Sequence, residues 1–197
     1  MSAVYYRRKK NKKYNRRRAL LVIVLILLVA IFNADSIWRF FYPLPYHELT
    51  LKYARAYNQD PYLLSAMMKA ESSFNPKAVS EKGARGLMQI MPETGQSVAS
   101  ELGYRNFSPD QLFIPDININ IGAWYLADLD YEFNGNVILM LAAYNGGRGN
   151  VTEWIAADKS GGIKDIDQIP FPETRHYIQK VLMYQKIYTR LYSQGGG

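Results

Sequence analysis

An unbroken apolar run from residue 19 to residue 32 constrains this chain more than any other stretch. It contains no polar or charged side chain, and its flanks decide where it can go. Ahead of it, residues 1–18 carry nine basic side chains and no acid; behind it come Asn33, Asp35 and Ser36, then Trp38, Phe40, Phe41 and Tyr42. Cations, hydrocarbon and aromatics in that order describe a membrane segment whose basic end stays in the cytoplasm. The strict run is shorter than the roughly 20 residues of a full span. A retained anchor therefore extends to Trp38 and draws on snorkelling by Arg16, Arg17 and Arg18. A cleavable signal peptide is the alternative for a run of this length, although Asp35 and the aromatics make the Ala34-Asp35-Ser36 region a poor cleavage site. The expected organisation is a basic cytoplasmic tail (1–18), one transmembrane signal-anchor (19–38), a short linker (39–45) and an extracytoplasmic domain (46–197).

This placement also disposes of the net charge. The chain is +7 overall, with 24 basic and 17 acidic residues. Setting aside the nine basic residues of 1–18 leaves 15 against 17, a net of −2 for the rest. The charge is a topology signal, and no nucleic-acid partner is expected. There is no cysteine, so thiolate metal sites and disulfides are excluded, and the isolated His47 and His176 form no zinc-binding pair. About 150 residues outside the membrane can bury a core without covalent staples.

Those residues read as one mainly α domain. Helices are expected over 47–57, from Asp60-Pro61 to Glu71, from Pro92 through Leu102, from Pro115 to about Phe133, over 137–144 and 151–157, and from Pro172 to about Tyr192. Several open on proline at the first helical position, where its missing N–H costs nothing. Asn134-Gly135-Asn136 and Asn145-Gly146-Gly147 are breaks, 72–86 is a polar loop, and the terminal Gly195-Gly196-Gly197 is a frayed end.

On the helix from Pro61, Glu71 follows Leu64, Met67 and Met68 at helical spacings and shares their apolar face. Desolvation there and the negative end of the helix dipole both raise its pKa, as a general acid near neutral pH requires. On spacing alone, a surface glutamate ending a helix is the more natural reading. The surrounding blocks change that. Glu71-Ser72-Ser73-Phe74-Asn75-Pro76 leads to Gly83-Ala84-Arg85-Gly86-Leu87-Met88-Gln89-Ile90-Met91-Pro92. Later come Asn118-Ile119-Asn120-Ile121-Gly122, Ala143-Tyr144-Asn145-Gly146-Gly147 and Glu173-Thr174-Arg175-His176-Tyr177.

Five blocks in this order resemble the soluble-lytic-transglycosylase family, over about residues 49–181. The resemblance implies a lysozyme-like fold of the goose type and a peptidoglycan substrate. It implies that Glu71 is the catalytic acid/base, that Ser72 helps orient it, and that Met88 and Gln89 are groove residues touching the sugar. It further implies that Tyr144 and Asn145 line the site and that Glu173 and Tyr177 shape it and contact substrate. Taken by themselves, Gln89 could serve the backbone and Asn145 could cap a helix. Asn118 and Gly122, one turn apart, are expected to serve packing, and Tyr62, Tyr125, Tyr184 and Tyr188 to belong to the core.

The implied reaction cuts the β-1,4 bond between N-acetylmuramic acid and N-acetylglucosamine and leaves a 1,6-anhydro end, with no cofactor or metal. A muramidase on the same fold, using Glu173 or an aspartate to activate water, and a wall-binding scaffold without turnover are the alternatives.

Overall fold

The computed structural model describes residues 33–157, 163 and 165–193, together with residues 20, 22–24 and 29. The basic tail, most of the apolar run and the terminal glycines lie outside the described residues. The chain divides into two units, Met1–Pro43 and Leu44–Gly197. In the first, helix α1 (Ala34–Phe41) crosses the expected anchor–linker boundary. Its Ile37, Trp38, Phe40 and Phe41 are exposed. Among the described residues no helix is long and apolar enough to cross a membrane.

The second unit is helical: α2 (His47–Ala56), α3 (Pro61–Ser72), α4 (Pro92–Glu101), α5 (Pro115–Glu132), α6 (Val137–Gly146), α7 (Arg148–Ala157) and α8 (Pro172–Tyr192). Short 3-10 turns at Pro109–Phe113 and Ile166–Gln168 add to the expected elements. Proline stands in the first turn of α3, α4, α5 and α8, where its fixed φ suits the helix. Asp60 caps α3, accepting from the Tyr62 N–H at 2.8 Å. Asn136 caps α6 by accepting from the N–H groups of Ile138 and Leu139. The expected break after Tyr144 comes slightly later, at Gly147, whose φ of 93° is open to glycine without a Cβ clash. Helix α7 starts immediately after it.

Helix α6 is apolar all round, and Leu139, Met140, Leu141, Ala142 and Ala143 are all buried. That pattern belongs to a central helix, and α6 packs against α5, α7 and α8. Helix α3 is also buried over consecutive positions, from Leu63 through Met68, so its apolar residues fill more than the single face read from spacing. Its main partner is α8. At one end of that pair Gln185 Nε2 donates to Asp60 Oδ2 at 2.6 Å, and at the other Lys180 Nζ donates to the Ala70 carbonyl at 3.1 Å. Replacing Asp60 by alanine removes both the cap and the Gln185 bond and should destabilise the domain by about 1–3 kcal/mol in urea unfolding. The loss should be smaller in a Gln185→Ala background, because part of it is shared.

Candidate active site

Glu71 is the penultimate residue of α3, where unpaired helix carbonyls disfavour negative charge. Burial pushes its carboxyl from an ordinary 4.5 up to about 7, and two groups of α8, the Tyr177 hydroxyl and the Lys180 ammonium, offset part of that rise. The Tyr177 hydroxyl lies beside the carboxyl but short of full hydrogen-bond geometry, and it is buried with no other partner among the described residues. Tyr144 enters from α6. Burial, and then the neighbouring Glu71 charge, holds its hydroxyl well above the usual tyrosine range. One tyrosine hydroxyl thus lies beside the carboxyl and a second lies within its electrostatic reach.

After Ser72 the backbone turns through two left-handed residues, Ser73 (φ 51°) and Phe74 (φ 64°). Such residues cost on the order of 1 kcal/mol or more each without glycine. The Phe74 ring meets Tyr188 of α8 edge-on, with centroids 6.3 Å apart, and Tyr188 is fully buried, so packing holds the turn. The loop then forms small antiparallel bridges, Val79 with Arg85 and Arg85 with Ile90. Gly86 (φ 76°) can only be glycine, because a Cβ there would run into the Leu112 carbonyl and the Asn118 amide.

Three helices grip this loop at Leu87 and Met88. The Ser72 hydroxyl of α3 donates to the Leu87 carbonyl at 2.8 Å. Asn118 of α5 accepts from the Met88 N–H at 2.8 Å and donates to the carbonyls of Leu112 and Arg85 at 2.8 and 3.0 Å. The Tyr144 hydroxyl of α6 donates to the Met88 carbonyl at 2.7 Å. Asn118 is completely buried, so its three bonds satisfy an amide that would otherwise be costly to bury.

The remaining expected residues divide. The Met88 side chain is fully buried against Gly122, where a Cβ would collide with it, so the backbone of Met88 joins the site while its thioether packs the core. Gln89 spends its amide N–H groups on the carbonyls of Gly86 (2.9 Å) and Ala78 (3.2 Å), the backbone role open from its sequence. Asn145 is exposed and accepts from the Thr174 hydroxyl at 3.0 Å, joining α6 to α8. Glu173 is exposed in the first turn of α8. Tyr188 is in the core as expected, whereas Tyr125 is only partly covered and its ring lies 5.6 Å from that of Tyr144.

Comparison with known proteins fits this arrangement. The family model described as the transglycosylase SLT domain matches residues 48–166. The chain belongs to the transglycosylase SLT family. A second model, the soluble lytic transglycosylase helical domain, matches residues 168–196. Among relatives, the soluble lytic murein transglycosylase of Escherichia coli K12 is 38% identical over 75% of this chain and 23% of its own length. The membrane-bound lytic murein transglycosylase C of Edwardsiella ictaluri is 34% identical over 74% of this chain and 47% of its own. The crystal structure of the 70 kDa soluble lytic transglycosylase SLT70 from Escherichia coli superposes with a TM-score of 0.72 at 36% identity, covering 80% of this chain and 26% of that one. The chain thus spans about a quarter of the soluble relatives and about half of the membrane-bound one. The fold is the lysozyme-like, mainly helical SLT fold.

Sequence spacing passed over two contributors to this SLT site. Lys180 follows Tyr177 by one turn of α8, a signal visible once α8 is known to face Glu71. Asn118, expected to serve packing with Gly122, also holds the loop. Gly122 does serve packing, against Met88.

The raised carboxyl carries a stability consequence. A group that is harder to ionise folded than unfolded costs nothing below pH 4.5, costs progressively more between 4.5 and about 7, and carries its full penalty above that. Glu71→Gln should therefore be more stable than the parent by about 2–3 kcal/mol above pH 7, with the difference vanishing near pH 4 in chemical-denaturation curves.

Proposed function

We propose that this chain is a membrane-tethered lytic transglycosylase that cleaves peptidoglycan glycan strands with Glu71 as its single acid/base. The observation that carries the reading is a buried carboxyl at the end of α3, pushed up to about 7, beside the Tyr177 hydroxyl and within electrostatic reach of Tyr144. Such a group is protonated often enough to donate and ionised often enough to accept. Protonated Glu71 gives its proton to the glycosidic oxygen as the bond from C1 of N-acetylmuramic acid breaks, with the substrate's own N-acetyl group supporting C1. Ionised Glu71 then takes the proton of the C6 hydroxyl, whose oxygen bonds to C1. The products are a strand bearing a free 4-hydroxyl and a 1,6-anhydromuramoyl end, with no water consumed. The attacking hydroxyl is tethered to the reacting ring, which gives it an intramolecular advantage.

In this reading Ser72 and Tyr144 orient the site through the loop they hold, Tyr177 faces the reacting carboxyl, and Gln89 and the Met88 backbone form the wall that meets the sugar. Asn145 and Glu173 lie at its solvent edge. The exposed position of Glu173 supports substrate contact over water activation beside Glu71. Digesting purified peptidoglycan in heavy-oxygen water tests the chemistry. Released muropeptides should carry anhydro ends and no newly labelled sugar end, and Glu173→Gln should reduce rate or binding without changing the product. Labelled reducing ends would make the enzyme a hydrolase.

The tether rests on the nine cations of residues 1–18, the apolar run after them and the exposed aromatics of α1. The membrane-bound name of the Edwardsiella relative agrees with it. In this arrangement the tail is cytoplasmic and the unit from Leu44 faces the wall. Protease added to intact protoplasts should remove that unit and leave a small membrane-bound stub. Complete protection of it would reverse the orientation.

A further inference from the structure

Helix α8 presents two polar side chains to the end of α3. Tyr177 and Lys180 are three residues apart on one face; the first meets the Glu71 carboxyl, and the second donates to the carbonyl of Ala70, the residue before it, at 3.1 Å. Lys180 therefore does two things at one place. It satisfies a helix carbonyl that α3 leaves without an intrahelical partner, and it brings a positive charge to the negative end of the helix dipole. The ammonium is also within electrostatic reach of the buried carboxyl.

We propose that Lys180 is a positioning residue for Glu71: it fixes the last turn of α3 and supplies the positive charge that lets a buried carboxyl both release and regain a proton near neutral pH. This inference rests on the acid/base reading of Glu71 above. Among the described residues, other groups around α3 do not supply that charge. Tyr177 of α8 and Tyr144 of α6 are neutral. Lys52 of α2 is committed to Asp116 at 3.0 Å. Arg85 of the loop pairs with Asp110 at 2.6 Å. Lys69, on α3 itself, lies two residues back, away from the flank that faces α8. Without Lys180, burial and the helix dipole act on Glu71 with only the Tyr177 hydroxyl opposing them.

The test uses the full chain in detergent micelles. Lys180→Met removes charge and donor, Lys180→Gln removes charge but keeps an N–H, and Lys180→Arg keeps the charge. Each is made with Glu71 intact and with Glu71→Gln. The stability loss of the intact protein relative to its Glu71→Gln partner starts at the unfolded-state pKa and levels off at the folded-state one, so the upper edge of that pH window reports the carboxyl without any turnover. That upper edge should move up by about half a pH unit or more in Lys180→Met and Lys180→Gln, with the lower edge unchanged, and return in Lys180→Arg. The alkaline limb of the pH profile for kcat/KM should move with it. A purely structural lysine would lower the melting temperature of both members of each pair and leave the window in place, and that result overturns the proposal. If the window moves while peptidoglycan is not cut, the link to Lys180 stands and the enzymatic reading falls. Should Lys180→Met fail to fold, Lys180→Gln decides alone, an unmoved window again overturning the proposal.

Discussion

The seam between α3 and α8 is the contact from which the site follows. It is pinned at both ends, by Gln185 on the cap residue Asp60 and by Lys180 on the Ala70 carbonyl. Buried α3 residues from Leu63 to Met68 fill the space between. A helix held this way has little freedom to slide or turn, so its final turn delivers Glu71 to one place. The same seam brings Tyr177 to the carboxyl and Tyr188 to the edge of Phe74, which stabilises the unusual backbone just beyond. Precise placement of an acid matters because proton transfer requires hydrogen-bond reach in a defined direction.

A second constraint fixes the loop that follows α3. The loop through Gly86, Leu87 and Met88 has little secondary structure of its own beyond isolated bridges. Side chains from α3, α5 and α6 converge on two consecutive residues of it, so that three separately packed helices agree on one backbone position. Residues that a sequence comparison would group as substrate contacts thereby divide into two kinds. Tyr144 and Ser72 act through bonds to loop carbonyls, while Met88 serves through its peptide group and anchors its side chain against Gly122. Loops carrying function are commonly positioned by a rigid scaffold in this way.

Electrostatics at the site comes from the balance between burial and a few nearby dipoles and charges. Desolvation raises Glu71, and the α8 groups pull it back part of the way. The surrounding ion pairs lie elsewhere. Arg148 bridges Asp128 and Glu132 between α7 and α5, and Lys52 ties α2 to Asp116 on α5. These pairs are partly exposed and of small energetic weight. Their placement leaves the neighbourhood of the acid sparsely charged, which keeps the effect of any single cation there large.

Much of the fold was legible in the sequence because local chemistry decides it. Proline at the first helical position, Asp60 and Asn136 as caps, and Gly147 as a break act over a few residues, and each marks its element close to where it stands. The 3-10 turns at Pro109–Phe113 and Ile166–Gln168 were not legible, since their stretches have neither helical length nor strand alternation. At the candidate site, the motif blocks singled out Glu71, Tyr144 and Tyr177, which packing brings near one another, and spacing along α3 already put Glu71 at the margin of the core. Spacing could not show that α8 faces it with both a hydroxyl and an ammonium, that the Met88 side chain turns inward, or that the Gln89 amide is spent on its own loop. Those facts depend on contacts that reach across as many as 110 positions of the chain. The sequence by itself determined the helices, most of their ends and the place of Glu71 at the end of α3. Only tertiary packing decided the surroundings of Glu71, because its burial and the charge that opposes it belong to neighbours the chain brings back from far away.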